Sequence, residues 1–554
     1  MNRRATLATL MGKKSAKVGA KKSTALTLTT GLDTYLGTWD YELAAHLLRR
    51  SMYGPTYAQI KDAVNQGMEA TIDMLFAESP LPDPPINLVF EEDPNVPIGE
   101  TWIDAPYSED INLFGYRYRS LFSWTIQNIV DEGISIREKM TTFWDNHFGM
   151  GNINDPKFRY RYSQLYREFA TGNFKELIKR ITIEPAMLRF LNGNQNTKNA
   201  PNENYAREVL ELFTIGKGPQ IAPGDYTNYT EDDVIAIAKV LTGWRDRGFR
   251  AFNPDVQIES IFRPNRHHTG DKQLSEHFGN AVISNEGENE YRTLIDIIFQ
   301  QAEVARFICR KFYRWFVYYV IDDNAEVNVI EPMATMLIEN DFEIEPVLRA
   351  LLSSEHFYDA INLGPMIKNP MDFVMSAIKT PGNPFPDDPV KRYNIQRRIF
   401  PLIDNMEMSY YNLPSVAGWK AYYQEPGFYR IWINSTTLQV RMGFTDRMTV
   451  NPYTFGGTKV GIDPLAFVAS LDDPSDPNSV IEEFTKILFP QPITDGQKEV
   501  LKEILIPGLP DYEWTVEYND YLANPDDENL ANAVASKLKN LLQAMLSMPE
   551  FYLS

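Results

Sequence analysis

Apolar residues recur at helical spacing almost from end to end of this chain, and strand-like alternation is scarce. The pattern begins near Asp40, where Leu43, Leu47 and Leu48 share one face of the stretch Tyr41 to Arg50. Tyr53-Gly54-Pro55-Thr56 stops that helix, and Thr56 is placed to cap the next, over 57–66. The same reasoning predicts helices over 111–130, 134–148, 158–170, 174–181, 203–214, 230–243, 290–300, 302–320, 328–340 and 343–353. Later ones are predicted at 370–379, 390–404, 434–448, 479–488, 495–504, 514–523 and 527–547. Short extended pieces are expected near 249–262 and 428–433.

Two stretches interrupt the periodicity. Residues 79–110 are rich in Pro, Asp and Glu and predict a long surface excursion, and Pro381 to Pro389 is the best internal boundary. The expected fold is all-α: a large, multi-helix, multi-lobed body with a few short strands and long Pro/Asp-rich loops. Three segments follow. Residues 1–38 form a basic tail, 39–380 a main helical domain and 381–554 a C-terminal helical lobe of the same body.

Charge narrows the partners. The chain carries 54 basic and 74 acidic groups, a net −20, although residues 1–22 hold seven basic groups and no acid. The remainder is therefore strongly acidic and repels nucleic-acid phosphates, so no nucleic-acid partner is expected. The head, Met1-Asn2-Arg3-Arg4 followed by a short apolar run to Met11, reads as a disordered tail or a degenerate export signal. No apolar run approaches the ~18–20 residues of a bilayer span, so no transmembrane segment is expected. The single cysteine, Cys309, excludes an intrachain disulfide and sits in an apolar run, which suits a buried, inert thiol.

Three segments are polar enough to carry chemistry. In the first, Asn202 is a good N-cap and Gly216 a good C-terminal stop for a helix between them. Glu203, Arg207 and Glu211 share its face at i, i+4, i+8, with Glu208 on a neighbouring stripe. Carboxylates beside an arginine suit acid–base work or a divalent cation; the alternative is a structural ion-pair ladder. The second segment runs from Arg137 to Phe148, and Ile136, Met140, Phe143 and His147 lie on one stripe. His147 there is either a general base or metal ligand, or a satisfied core histidine. The third, Arg263 to Lys272, gathers Arg266, His267, His268 and Lys272 in a turn-rich loop that suits an anion. The candidate catalytic set is thus Glu208, His147, Glu203, Arg207 and His267. The interleaved Tyr116-Arg117-Tyr118-Arg119 and Arg159-Tyr160-Arg161-Tyr162 suit either ligand stacking or, more commonly, arginine stems packed on tyrosine rings.

The standard signatures for phosphate-binding loops, dinucleotide-binding turns, nucleophile elbows, zincin helices, Cys-x-x-Cys pairs and EF-hands do not occur. No cofactor is therefore named, and a metal is left open.

These segments together resemble the bacterial family called domain of unknown function 1800. The carrying residues are His46-Leu47-Leu48-Arg49-Arg50 with Gly54-Pro55-Thr56, Phe143 to Phe148, Asn202 to Gly216, Tyr229 to Trp244 and the His267 loop. Lys368-Asn369-Pro370, Val416-Ala417-Gly418-Trp419 and Trp432-Ile433-Asn434-Ser435 extend the resemblance. It spans roughly residues 40–550. It implies a bacterial origin, a cell-envelope or exported setting with the cytoplasm as the alternative, and a partner from the domain of unknown function 1501 family. It implies no activity. Where that family usually has His-Asp-x-Gly, this chain has His267-His268-Thr269-Gly270, which removes one half of a His/Asp relay. The expected function is a non-catalytic binding or assembly protein of the cell envelope. The alternative is a hydrolase-like enzyme with a Glu/His/Arg acid–base or metal-assisted site.

Overall fold

The computed structural model describes residues 30–382, 385–455 and 457–554. The protein is predominantly helical, and among the described residues the sheets are all short, two-stranded and antiparallel. Each predicted helical stretch contains a helix, and the ends follow local capping chemistry. Asp40 accepts from the Leu43 backbone N–H at 3.1 Å and starts helix Tyr41–Ser51. Thr56 with Gln59, Thr230 with Asp233 and Thr494 with Gln497 form reciprocal capping boxes.

The differences from the sequence pattern have local causes. The stretch 390–404 is two helices, Pro389–Gln396 and Ile399–Asp404. Pro401 has no N–H to donate back to Arg397, so one continuous ladder cannot form. Residues 428–433 are not extended: Phe428–Trp432 is a 3-10 turn, because no neighbouring strand pairs with this aromatic run. Met68–Leu75, Pro185–Phe190 and Pro464–Ala469 are further helices, too short to give a clear period. The expected extended region near 249–262 contributes one strand, Glu259–Phe262, paired in register with Trp244–Arg247.

One hydrophobic cluster runs from Leu43 to Tyr552 and takes in residues on both sides of Pro381 to Pro389. Phe122 stacks on Phe400 with ring centroids 4.5 Å apart. Of the expected basic tail, residues 1–29 lie outside the described residues. Residues 30–38 run along the end of helix Ile344–Leu352, where Thr34 bridges Ser354 and Tyr35 N–H donates to Ser353 O at 2.8 Å. Among the described residues, no helix is long and apolar enough to cross a membrane.

Buried polar contacts fix how the helices cross. Arg167 on helix Pro156–Glu168 donates to both oxygens of Glu138 on helix Arg137–Phe148, each at 2.7 Å. Two sequence motifs also meet. Trp419 N–H donates to Asn146 Oδ1 at 2.9 Å. Gly418, with φ +92°, lies so close that a Cβ there would stand 2.4 Å from Asn146 O. Only glycine serves at such a contact.

Candidate functional site

The helix beginning at Asn202 forms as expected. Asn202 Oδ1 accepts from Tyr205 N–H at 3.0 Å, and Gly216 takes the left-handed conformation, φ +74°, just past its end. The second half, Val209–Thr214, widens into a π-turn. The C-terminal carbonyls of such a helix have no partners within it and need outside donors.

His147 and Lys311 supply them. His147 Nε2 donates to Phe213 O at 3.1 Å, and Lys311 Nζ donates to Leu212 O at 3.1 Å. Lys311 Nζ also donates to His147 Nδ1 at 3.0 Å, which fixes the ring as the Nε2–H tautomer. His147 is buried among Phe143, Trp144, Phe148 and Phe174. Burial, and then the nearby Lys311, hold its pKa well below the usual histidine value. Burial followed by Arg314 brings Lys311 down to about 7.

The charged stripe of the same helix faces outward. Glu203 is exposed. Arg207 makes a bidentate pair with Glu231 of the next helix, at 2.9 and 2.7 Å. Glu211 accepts from Tyr229 Oη at 3.1 Å. Glu208 is half-buried, and burial, then Glu211, raise its pKa above the usual carboxylate value.

His267 belongs to a third, separate nest. Its Nε2 lies 2.8 Å from Glu290 Oε1, and Lys272 Nζ reaches both Glu290 oxygens at 2.8 and 2.6 Å. Glu290 and Lys272 are fully buried. The anion that this cationic loop was expected to receive is therefore a carboxylate of the protein itself. The five nominated residues thus fall into three nests: His147 with Lys311; Arg207 with Glu231, beside Glu203 and Glu208; and His267 with Glu290. Among the described residues, no group of three or more His, Cys, Asp or Glu side chains could hold a metal ion. The Arg/Tyr stretches pack internally: Arg117 lies over the rings of Tyr107 and Tyr116, and Arg159 over Tyr118. Cys309 is buried, which raises its thiol pKa.

The concave surface is elsewhere. Two adjoining clefts, of about 690 and 740 Å³, share Ser79, Pro80, Ser135 and Arg137. The first lies between the Pro-rich segment 79–86, helix Phe114–Asp131 and helix Pro389–Gln396. The segment is strapped down: Trp124 Nε1 donates to Asp83 O at 2.6 Å, Arg137 to Pro80 O at 2.7 Å and Ser120 to Ile86 O at 2.9 Å. A hydrogen-bond chain lines one wall. Ser123 donates to Gln396, Gln396 to Gln127 and Gln127 to Asp131, at 2.9, 2.6 and 2.5 Å.

Asn128 and Glu132 also line this cleft, one helical turn apart. Asn128 Nδ2 and Glu132 Oε1 are both buried atoms without a hydrogen-bond partner among the described residues. Glu132 Oε2 accepts the Glu138 backbone N–H at 3.2 Å. Burial raises the Glu132 pKa above the usual carboxylate value, and Glu138 adds to the rise while Lys379 opposes it. Sequence reasoning missed these residues. The Pro/Asp excursion was the one legible signal, since an Asn and a Glu four residues apart at a helix end look like ordinary solvated surface.

Comparison with known proteins fits the residue pattern. A family model described as a protein of unknown function, DUF1800, matches residues 46–553. No curated protein matches the chain, and no solved structure does.

Proposed function

We propose that this chain, which belongs to the DUF1800 family of proteins of unknown function, is a binding or assembly protein and not an acid–base enzyme. The observation that carries the reading is the occupation of its best chemical groups. His147 and Lys311 cap a helix, His267 and Lys272 both engage Glu290, and Arg207 holds Glu231. Acid–base catalysis needs a donor and an acceptor converging on one substrate position. These residues sit in separate nests, and the two adjoining clefts are lined by others. Binding needs only a preformed concavity with a few convergent polar groups.

The test compares wild type with His147→Gln and Glu208→Gln. On this reading the folded variants retain the same partner in extracts of the source organism, a domain of unknown function 1501 protein being the first to try. Wild-type hydrolysis of an ester, phosphate or glycoside panel that both substitutions abolish would overturn it.

A further inference from the structure

The unpartnered atoms of Asn128 and Glu132 define what the first cleft takes. An unmatched buried donor and an unmatched buried acceptor each carry a desolvation cost, and a ligand that pairs both recovers it. Asn128 Nδ2 needs an acceptor, and Glu132 Oε1 is an acceptor once ionised. The strongest match to a buried carboxylate is a cationic donor. The interior cations whose charges act on Glu132 are both engaged elsewhere: Lys379 Nζ donates to Ile129 O at 2.6 Å and Lys139 Nζ to Asp372 Oδ1 at 2.5 Å. The surroundings suit an extended chain. Pro80, Pro82, Pro84 and Pro389 offer flat apolar rings, and Trp124 offers an aromatic face. Asp83 and Asp131 line the same space, and Glu78 and Glu343 line the adjoining cleft. Taken together the two clefts are lined by eight carboxylate residues and three arginines, Arg137, Arg167 and Arg392, so the field over the groove is acidic.

We infer that this cleft binds an extended basic peptide segment of a partner protein, the Asn128 and Glu132 side chains turning from their covered positions to put Nδ2 on a peptide carbonyl and Oε1 on an arginine or lysine side chain. This rests on the binding reading above and names its ligand. A neutral peptide leaves Glu132 unmatched, and an acidic one adds like charge beside Asp131.

The experiment uses the full chain and three synthetic probes, Ac-Pro-Gly-Arg-Gly-Pro-amide and its norleucine and glutamate counterparts. Binding is measured by calorimetry in two buffers of different ionisation enthalpy. The arginine probe is expected to bind about tenfold or more tighter than the norleucine probe, to release protons on binding, and to lose about tenfold in affinity in Glu132→Gln. Asn128→Ala is expected to weaken all probes alike. Equal affinity for the three probes, or arginine binding without proton release, would overturn the inference, and both readings come from wild type alone. Failure here with partner capture intact removes only this ligand class. Turnover abolished by His147→Gln and Glu208→Gln removes only the non-enzymatic reading.

Discussion

Lys311 Nζ lies 3.0 Å from Nδ1 of His147, and each group separately donates to a carbonyl at the end of the helix that opens at Asn202. Both ring nitrogens of the histidine most suited to general-base chemistry are therefore engaged in holding a helix terminus. Lysine and histidine donors at a helix C-terminus satisfy orphan carbonyls and face the negative end of its dipole.

The Lys311 amine gives a pH signature. Its folded pKa, about 7, lies below the ordinary 10.5, so the unfolded chain binds more protons between those values. Stability from this group rises with pH across that window and is absent below it. Lys311→Met removes the dependence. The difference in unfolding free energy between wild type and Lys311→Met is expected to grow from about pH 7 to about pH 10, as read by urea melts.

Glu132 titrates with the opposite sign. Its folded pKa is raised, so the folded state holds the extra proton and wild type loses stability as pH climbs above the usual carboxylate range. Glu132→Gln lacks that loss. The variant is expected to gain on wild type between about pH 5 and about pH 9, by an amount on the order of 1–2 kcal/mol after screening by Lys379. Thermal melts at the two pH values check it, and an unchanged difference would show that Glu132 is solvated.

The Glu138–Arg167 pair is buried at both ends. Glu138→Gln leaves the guanidinium without its counter-charge and is expected to cost about 3–5 kcal/mol in denaturant melts. Exposed pairs such as Arg247–Glu259 should cost less than about 1 kcal/mol when broken.

Gly418→Ala tests the meeting of the two motifs. A Cβ would stand 2.4 Å from Asn146 O, at a φ that L-residues avoid. A loss of about 2–4 kcal/mol is expected, with Gly496→Ala, where nothing crowds the added atom, as the near-neutral control.

Helix positions were legible because caps and spacing are local: Asn202, Thr56 and Gly216 each act within a few residues of themselves. Ligand identity inside the fold was not. Nothing near His267 says that its anion is Glu290, because the two are brought together by a loop and a helix 23 residues apart. Nor does Glu132 differ in sequence from any exposed glutamate. Its surroundings, the Glu138 backbone N–H and the charges of Lys379 and Lys139, are set by the fold. The Phe143 to Phe148 and Val416 to Trp419 motifs carry the family resemblance, and the structure brings them together through close packing between Asn146 and Gly418.

The state of His147 tests the central claim most directly. The chain has six histidines, few enough to assign by ¹⁵N-histidine NMR with single-residue substitutions. Across a titration from about pH 8 to about pH 5, His147 is expected to stay neutral and keep its Nε2–H tautomer, its ring nitrogens showing only the small step that the neighbouring Lys311 amine, titrating at about 7, imposes on Nδ1. Conversion of both ring nitrogens to imidazolium shifts within this range, or a shift of that resonance when a small-molecule substrate is added, would contradict that claim.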